Sequence, residues 1–551
     1  MGKKRSSTGF LVQGSILAMA SIVSRIIGLL YRIPLIGIIG DVGMDYYATA
    51  FEIYNNLLII SSYSLPLAVS KLVAADMSRG RKKNAFRIFR GALAFATLTG
   101  GIAALILFFG AEAFTAAMKT PFSIFAVRVL IPTLIIVAVL GVLRGFFQGL
   151  GSMMPTAISQ VLEQIANAIV SIWAAYVLYQ YGSKVGAILG NQENYAAAYG
   201  AAGGTLGTGI GALTALLFSC FVLFAYMHAY KRQTRREGLT KVDSYKNIFG
   251  ALISTIIPVL LSTTIYNCNT LVDMAVFKNI ANAQGYSALE ISTWNGVYTG
   301  RYRTLINVPI SIASALAASS VPALTAAYTK KNLDEVRTQI NSAIRFIMLI
   351  SIPCAVGMGV LAEPILKLVH LSDESGMATV MLMYGAVSIV FFSLSTLSNG
   401  LLQGIDRMKE PVKNAAIALV LHVIVLVVLM YAFKLNIYAV IFANAAFGLI
   451  MSVLNALSIR KYVGYKQEIV KTFLIPGLSA GIMGVVVWGA YKGLIYLLRI
   501  NAIATIFSIV IGAVAYFALM LLLKGMGEAE LRRLPKGHLL VKLAKKAHLL
   551  R

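Results

Sequence analysis

The stretch Gly145-Phe146-Phe147-Gln148-Gly149, with Pro155 soon after it, returns 255 residues later in the chain. The second copy is Gly400-Leu401-Leu402-Gln403-Gly404, and Pro411 follows it after one extra residue. Glycine and proline in this order mark the end of one helix and the start of the next. The pair of motifs predicts that one helical arrangement occurs twice in the chain.

A third landmark supports the same register. Leu65-Pro66-Leu67 corresponds to Val321-Pro322-Ala323 at an offset of 256 residues. Because an even number of predicted membrane spans separates the copies, the two halves have the same orientation, with a symmetry axis along the membrane normal. The repeat therefore predicts two six-helix bundles.

The composition predicts an all-α polytopic membrane protein. The 551 residues are 58% hydrophobic and only 13% charged, and the mean hydropathy is +0.79. Apolar stretches repeatedly reach the membrane-spanning length of about 20 residues. We count about fourteen spans, which run approximately over 10–33, 45–70, 87–110, 122–148, 153–181, 202–229, 247–277, 296–327, 338–361, 377–403, 412–433, 436–459, 472–497 and 501–523.

The basic residues divide unevenly between the loops. The net charge is +27, but the basic residues punctuate apolar spans rather than form one soluble face, which excludes a nucleic-acid-binding protein. With a cytoplasmic N-terminus, 34 of the 48 Lys and Arg fall in cytoplasmic segments and 7 on the opposite side. This division predicts a multi-pass membrane protein with both termini cytoplasmic.

The repeat and the span count divide the chain into four predicted segments. Residues 1–235 form an N-terminal six-helix bundle, and residues 236–465 form a C-terminal one. Two extra transmembrane helices occupy residues 466–525. Residues 526–551 form a basic amphipathic cytoplasmic tail, which we expect to bind anionic membrane lipids.

Arginine, and no lysine, falls inside the predicted spans. A charge at bilayer depth costs about 2.5–3.5 kcal/mol on insertion scales, so such a residue usually faces a wet cavity or a partner. Arginine stays ionised there and can bind a phosphate through two parallel hydrogen bonds. These residues therefore predict a phosphate-bearing substrate: Arg25, Arg32, Arg128, Arg144, Arg301, Arg303 and Arg345.

Depth separates the arginines into groups. Arg25 lies about 22 Å into span 1, too deep to reach the surface easily, whereas Arg32 is near the outer end. Arg301 and Arg303 lie in span 8 and, being two residues apart, point to different faces.

Arg128, Arg144 and Arg345 lie near helix ends, which predicts snorkelling or loop anchoring. Arg144 precedes the turn after Gly149 and is also a gate candidate.

Three acids lie inside the spans. Glu52 lies at a depth similar to that of Arg25, so the two could pair beside the substrate, and Glu163 lies in span 5. Asp273, near Asn267 and Asn269, could coordinate Na⁺, carry a proton or make a polar helix contact. We expect His422, alone in span 11, to be a hydrogen-bonded interior residue rather than a proton relay.

One run of residues resembles the start of the MurJ-type lipid II flippases of the MOP superfamily. Its sequence is similar to that of the YtgP/SpoVB-like Gram-positive branch. The run is Ser24-Arg25-Ile26-Ile27-Gly28 with Arg32 and Pro34, then Ile39-Gly40, Tyr46-Tyr47, Asn55-Asn56 and Pro66 through Ser70-Lys71. The resemblance covers about residues 10–465. It implies two six-helix bundles in a V shape plus two C-terminal helices, a cationic central cavity and alternating access.

The resemblance also implies roles for particular residues. Arg25 and Arg32 match the first-helix arginines of the family, and Arg301 matches its span 8 arginine. The basic residue expected in span 2 is replaced by Ile59-Ile60. The acid of the family's Na⁺ site on span 11 is also absent, which leaves Asp273 with Asn414 as an incomplete metal site.

The residues and the resemblance together predict a transporter rather than an enzyme. The expected substrate is a polyprenyl-diphosphate-linked peptidoglycan precursor, lipid II, moved from the inner to the outer leaflet, with cell-wall synthesis machinery as a further partner. The alternatives are an exporter of another lipid-linked oligosaccharide or of drugs, and a non-transporting scaffold. No cofactor is expected; Na⁺ or H⁺ coupling and the membrane potential are the candidate energy sources.

Overall fold

The computed structural model describes residue 17 and residues 19–235, 242–372, 375–528 and 545. These residues form helices joined by short connections, and no strand occurs among them, which confirms the predicted all-α class. The chain divides into two compact units, residues 1–300 and residues 301–551. The predicted amphipathic tail lies outside the described residues apart from residues 526–528 and Lys545.

The described residues of the first unit form nine α-helices. They are α1 (Met19–Leu30), α2 (Arg32–Ser61), α3 (Leu65–Ser78), α4 (Lys82–Ala117), α5 (Ile124–Gly149), α6 (Met154–Leu189), α7 (Gln192–Arg235), α8 (Tyr245–Ala283) and α9 (Ala288–Gly296). A 3₁₀ turn, Pro121–Ser123, precedes α5, and a π-helical segment, Val297–Tyr302, follows α9.

The second unit begins within that π-helical segment, and residues 303–522 of it, as far as the structure describes them, form nine further α-helices. They are α10 (Arg303–Thr329), α11 (Leu333–Val360), α12 (Ala362–Leu368), α13 (Met377–Gly385), α14 (Ser388–Gly404), α15 (Lys409–Tyr431), α16 (Ile437–Val463), α17 (Ile475–Leu498) and α18 (Asn501–Leu522). A second π-helical segment, Val470–Leu474, leads into α17.

Many of these helices can cross a membrane. Ten helical stretches of the described chain are long and apolar enough, and α13 with α14 makes an eleventh if their 52° bend belongs to one span. α1 and the first part of α8 are shorter apolar helices. The chain is therefore a multi-pass membrane protein, and the count of fourteen spans stays a prediction.

The predicted loop between the first two spans is helical. α2 continues from Arg32 to Ser61, and its only internal break is at Gly40, whose φ of 68° lies in the left-handed region. A side chain is strained in this conformation, so glycine permits the chain to turn there without a longer loop.

The glycines of the repeat have the same packing role in both units. A Cβ atom on Gly145 would lie 2.6 Å from the carbonyl oxygen of Pro66, so α5 touches the backbone of α3. A Cβ atom on Gly400 would lie 2.7 Å from that of Ala317, so α14 packs closely on α10. The repeat therefore encodes a close helix contact in each unit.

α8 packs within the first unit, although sequence repeats assign it to the second half. Its residues Ile248, Leu252 and Ile256 join a buried core with Val69 of α3 and Phe146 of α5. The compact units thus divide one span later than the predicted bundle boundary at residues 235–236. The four predicted segments describe the sequence repeat and remain a prediction.

Candidate functional site

Arg25 lies on the exposed face of α1. The helix is held against α6, because Ser21 Oγ donates a hydrogen bond to Gln160 Oε1 (3.3 Å) and Gly28 packs beside the Gln164 side chain. No residue of the described chain forms an ion pair with Arg25. Its guanidinium is therefore available to a ligand, and its role in substrate binding stays a prediction.

Arg32 lies in a more enclosed, aromatic setting. It is half-buried at the start of α2, and the side chains of Tyr31, Tyr47 and Glu52 lie within electrostatic range of it. The hydroxyl groups of the two tyrosines are 3.1 Å apart. Glu52 thus lies near Arg32 and, in the observed structure, forms no ion pair with Arg25.

Arg144 and Glu163 form an ion pair that the sequence did not predict. Arg144 Nη2 lies 2.7 Å from Glu163 Oε2, and its Nε donates to Ser159 Oγ over 2.9 Å. Both side chains are largely buried, and the pair joins the inner end of α5 to α6. This is an anchoring contact in the observed state, and the gate role of Arg144 stays a prediction.

Arg301 and Arg303 lie on either side of a fully buried tyrosine in the second unit. The Tyr302 hydroxyl donates a hydrogen bond to the Gly385 carbonyl oxygen over 2.9 Å, which fixes the orientation of this segment. Both arginines are half-buried, and Arg301 Nη1 donates to the Ser372 carbonyl oxygen over 2.5 Å.

The remaining arginines and His422 are in contacts typical of structural residues. Arg128 pairs with Glu112 over 3.1 Å, and both side chains are exposed. Arg345 Nη2 donates to the Gly525 carbonyl oxygen over 2.5 Å, which anchors the segment after α18. His422 is fully buried, and its Nδ1 lies 2.8 Å from the Ala443 carbonyl oxygen, which confirms the predicted interior position.

The two residues of the predicted metal site lie in different units. Asp273 is buried in α8, one turn from the buried Asn269. Asn414 in α15 donates to Asn455 Oδ1 (2.9 Å) and Ser458 Oγ (3.0 Å), so its amide group belongs to a buried neutral network. Within the described ranges, no group of three or more His, Cys, Asp or Glu side chains could hold a metal ion. The Na⁺ site stays a prediction.

Lys278 lies inside a helix, although charge counting places it among the seven basic residues on the outer side. It belongs to α8, and its side chain is completely buried. Its Nζ lies 2.6 Å from Asp45 Oδ1 and 2.8 Å from Thr49 Oγ1. Asn295 of α9 donates to the same Asp45 oxygen over 2.6 Å. Lys278 ends an apolar run, so charge counting places it in a loop, whereas α8 continues to Ala283.

The helices around this ion pair are in close contact with each other. A Cβ atom on Gly296 would lie only 1.8 Å from the carbonyl oxygen of Asp41, and one on Gly300 would lie 2.7 Å from Met44 Cγ. Glycine therefore permits the end of α9 and the following π-helical segment to lie directly against α2. Asp45, Lys278 and Asn295 tie three helices of the first unit together, α2, α8 and α9.

Comparisons with known proteins agree on the family. Residues 11–328 match the family model described as polysaccharide biosynthesis protein, and residues 302–428 match the MatE model. The lipid II flippase MurJ of Bacillus subtilis (strain 168) is 28% identical over 501 residues, which are 87% of this chain and 88% of that protein. Stage V sporulation protein B of the same organism is 26% identical, covering 96% and 98%.

Solved structures share the fold. An inward-facing MATE multidrug resistance transporter of the MOP superfamily matches with a TM-score of 0.65 at 16% identity, covering 80% of this chain and 94% of that one. Lipid II flippase MurJ in an inward closed conformation matches with a TM-score of 0.63 at 16% identity, covering 91% and 97%. The chain therefore has the fold of a MOP-superfamily transporter and belongs to the polysaccharide biosynthesis protein family.

Proposed function

We propose that this protein is a flippase that moves lipid II, a polyprenyl-diphosphate-linked peptidoglycan precursor, across the bacterial cytoplasmic membrane by alternating access. The observation that carries the proposal is Arg25, an exposed arginine on an apolar helix that no described residue pairs with. A cation at that depth is costly unless it faces water or an anionic ligand. The diphosphate of a lipid-linked precursor supplies such a ligand.

In this mechanism the arginines bind the head group and the prenyl chain stays in hydrocarbon. Arg25 and Arg301 bind the diphosphate, while Arg32, Arg303 and Glu52 contact the head group beside it. Nothing covalent is broken, so the protein acts as a transporter. The similarity to the Bacillus subtilis flippase supports this cargo.

The test is the Arg25→Ala variant in cells depleted of the native protein. We expect it to abolish the appearance of lipid II in the outer leaflet while membrane insertion stays normal. Arg25→Lys should restore only part of the activity, because lysine keeps the charge but loses the two-pronged hydrogen bonds. Arg128→Ala is the matched control, since Arg128 is an exposed arginine already paired with Glu112. Normal transport by Arg25→Ala would contradict the proposal.

The membrane potential is the proposed energy source. An inside-negative potential drives an anionic substrate outward and favours return of the empty cationic site, at about 2.3 kcal/mol per charge per 100 mV. Collapsing the potential should therefore stop flipping, whereas removing Na⁺ at constant potential should not. Loss of transport on Na⁺ removal alone would instead support coupling through Asp273 and Asn414.

A second candidate is export of another lipid-linked oligosaccharide. The family description, polysaccharide biosynthesis protein, favours this alternative. The chemistry of the binding residues is shared, because any such cargo carries a diphosphate. The experiment adds purified lipid II, or another polyprenyl-diphosphate oligosaccharide, to vesicles that contain the protein. Which of the two lipids crosses the membrane distinguishes the two candidate functions.

A further inference from the structure

The second unit contains a cavity of about 780 Å³ between α11, α14 and α16. Its walls are mainly apolar, and the side chains of Leu449, Val453 and Leu457 along α16 are substantially exposed. Phe391 and Leu394 of α14 form the facing wall. Such a surface fits a hydrocarbon chain.

Two cations lie at one end of this cavity. Arg460 occupies the last turn of α16, and Lys466 lies in the segment that connects α16 to the second π-helical segment. Both residues are exposed, and within the described chain neither side chain has a hydrogen-bonded or ion-pair partner. This end belongs to the predicted cytoplasmic cluster of basic residues, Arg460–Lys471.

The length of the cavity matches one leaflet. Leu449 and Arg460 are eleven residues apart on one helix, which is about 16 Å at 1.5 Å per residue. Half of a hydrocarbon core of about 30 Å is about 15 Å. The wall of the cavity along α16 is therefore about as long as one leaflet is thick.

The cationic end is held in a fixed geometry. Tyr465, next to Lys466, is buried, and its hydroxyl donates to Asn341 Oδ1 over 3.0 Å. The Glu468 carboxylate accepts hydrogen bonds from the Lys471 backbone N–H and the Thr472 hydroxyl, each 2.7 Å long. The connecting segment is therefore ordered without any contact from the two cations, which leaves them available to an external anion.

We infer that this cavity binds an anionic phospholipid of the inner leaflet, with an acyl chain along α16 and the phosphate between Arg460 and Lys466. The two cations select a lipid with net negative charge over a zwitterionic one. The one-leaflet length selects a phospholipid over the much longer prenyl chain of the proposed cargo. The site lies within the second unit and involves none of the residues assigned to the head group of the cargo.

The experiment measures which lipids stay bound to the purified full chain. The protein is exchanged into detergent with equal amounts of phosphatidylglycerol and phosphatidylcholine, and retained lipid is counted by native mass spectrometry. We expect the native chain to retain phosphatidylglycerol preferentially and Arg460→Gln/Lys466→Gln to retain about tenfold less. The matched control is Lys413→Gln/Lys524→Gln, which removes two cations from the same predicted side and should change nothing.

A second variant tests the hydrocarbon part of the site. Ala456→Trp places a bulky ring in the wall of the cavity, and it should reduce retention of phosphatidylglycerol even though both cations remain. Equal retention of the two lipids by the native chain, or equal loss in the control variant, would overturn the proposal. Preferential retention of a polyprenyl-diphosphate lipid added in competition would also overturn it, because the occupant would then be the cargo.

Discussion

The two units hold their buried polar segments together by different chemistry. In the first unit, a completely buried ion pair between Asp45 and Lys278 joins α2 to α8. In the second unit, the buried contacts between α14, α15 and α16 are neutral, because Asn455 binds Ser398 Oγ over 2.9 Å and Asn414 over 2.9 Å. These contacts rely on charge in the first unit and on amide and hydroxyl groups in the second.

This difference matters because charges and dipoles respond differently to water. Desolvation of two ions offsets much of their attraction, so a buried ion pair adds little net stability, yet losing one partner is severe. A neutral hydrogen bond contributes less to stability, and its loss destabilises the protein less. Asp45 Oδ2 is buried without a hydrogen-bond partner, so the first unit also retains an unsatisfied acceptor that water could hydrate. The contact between Asp45 and Lys278 is therefore more sensitive to the entry of water than the neutral contacts of the second unit.

The largest expected effect is that of Lys278→Met. It leaves Asp45 buried and unpaired, which should cost about 3–5 kcal/mol in the free energy of unfolding. The double variant Lys278→Met/Asp45→Leu removes both charges and should recover most of that loss. Thermal or denaturant unfolding of the purified protein in detergent measures both. If the single and double variants were equally unstable, packing rather than charge would hold these helices together.

A smaller effect is expected for Asn455→Leu in the second unit. The amide of Asn455 contacts Ser398, Asn399 and Asn414, so its loss leaves several buried polar groups unsatisfied, at about 1–3 kcal/mol. Val453→Ala, on an exposed face of the same helix, is the control. The same unfolding measurement applies. A loss as large as that of Lys278→Met would remove the distinction between the charged and the neutral unit.

The smallest difference is expected between the repeat glycines. Gly145→Ala and Gly400→Ala each overpack a helix contact, at about 1–3 kcal/mol. The first should cost more, because its Cβ meets the backbone of Pro66, whereas that of Gly400 meets the side chain of Ala317. Gly101→Ala is the control, since no atom lies within 4 Å of a Cβ at that position. Larger destabilisation by Gly400→Ala would reverse the comparison of the units.

The fold class and the internal repeat can be predicted from the sequence because both appear as patterns of residues along the chain. Long apolar runs identify a helical membrane protein, and Gly145 and Gly400 recur at the same helix contact. Depth along its span also singles out Arg25, which is exposed and has no ion-pair partner among the described residues, while its role in substrate binding stays a prediction.

Contacts that depend on helix rotation could not be predicted. Arg144 and Glu163 were each identified separately, yet nothing in their spacing shows that α5 and α6 bring them within 2.7 Å. Lys278 was missed because a lysine at the end of an apolar run looks the same whether it faces solvent or Asp45. Only the packing of α8 on α2 distinguishes the two.

The burial of Lys278 has a practical consequence for chemical labelling. The other lysines on the predicted outer side, Lys119, Lys184, Lys367, Lys434 and Lys492, are all exposed. An impermeant amine reagent added from outside would modify those five rapidly and reach Lys278 only when α2 and α8 separate. The ratio of the two modification rates therefore reports how often α2 and α8 separate, without any introduced probe.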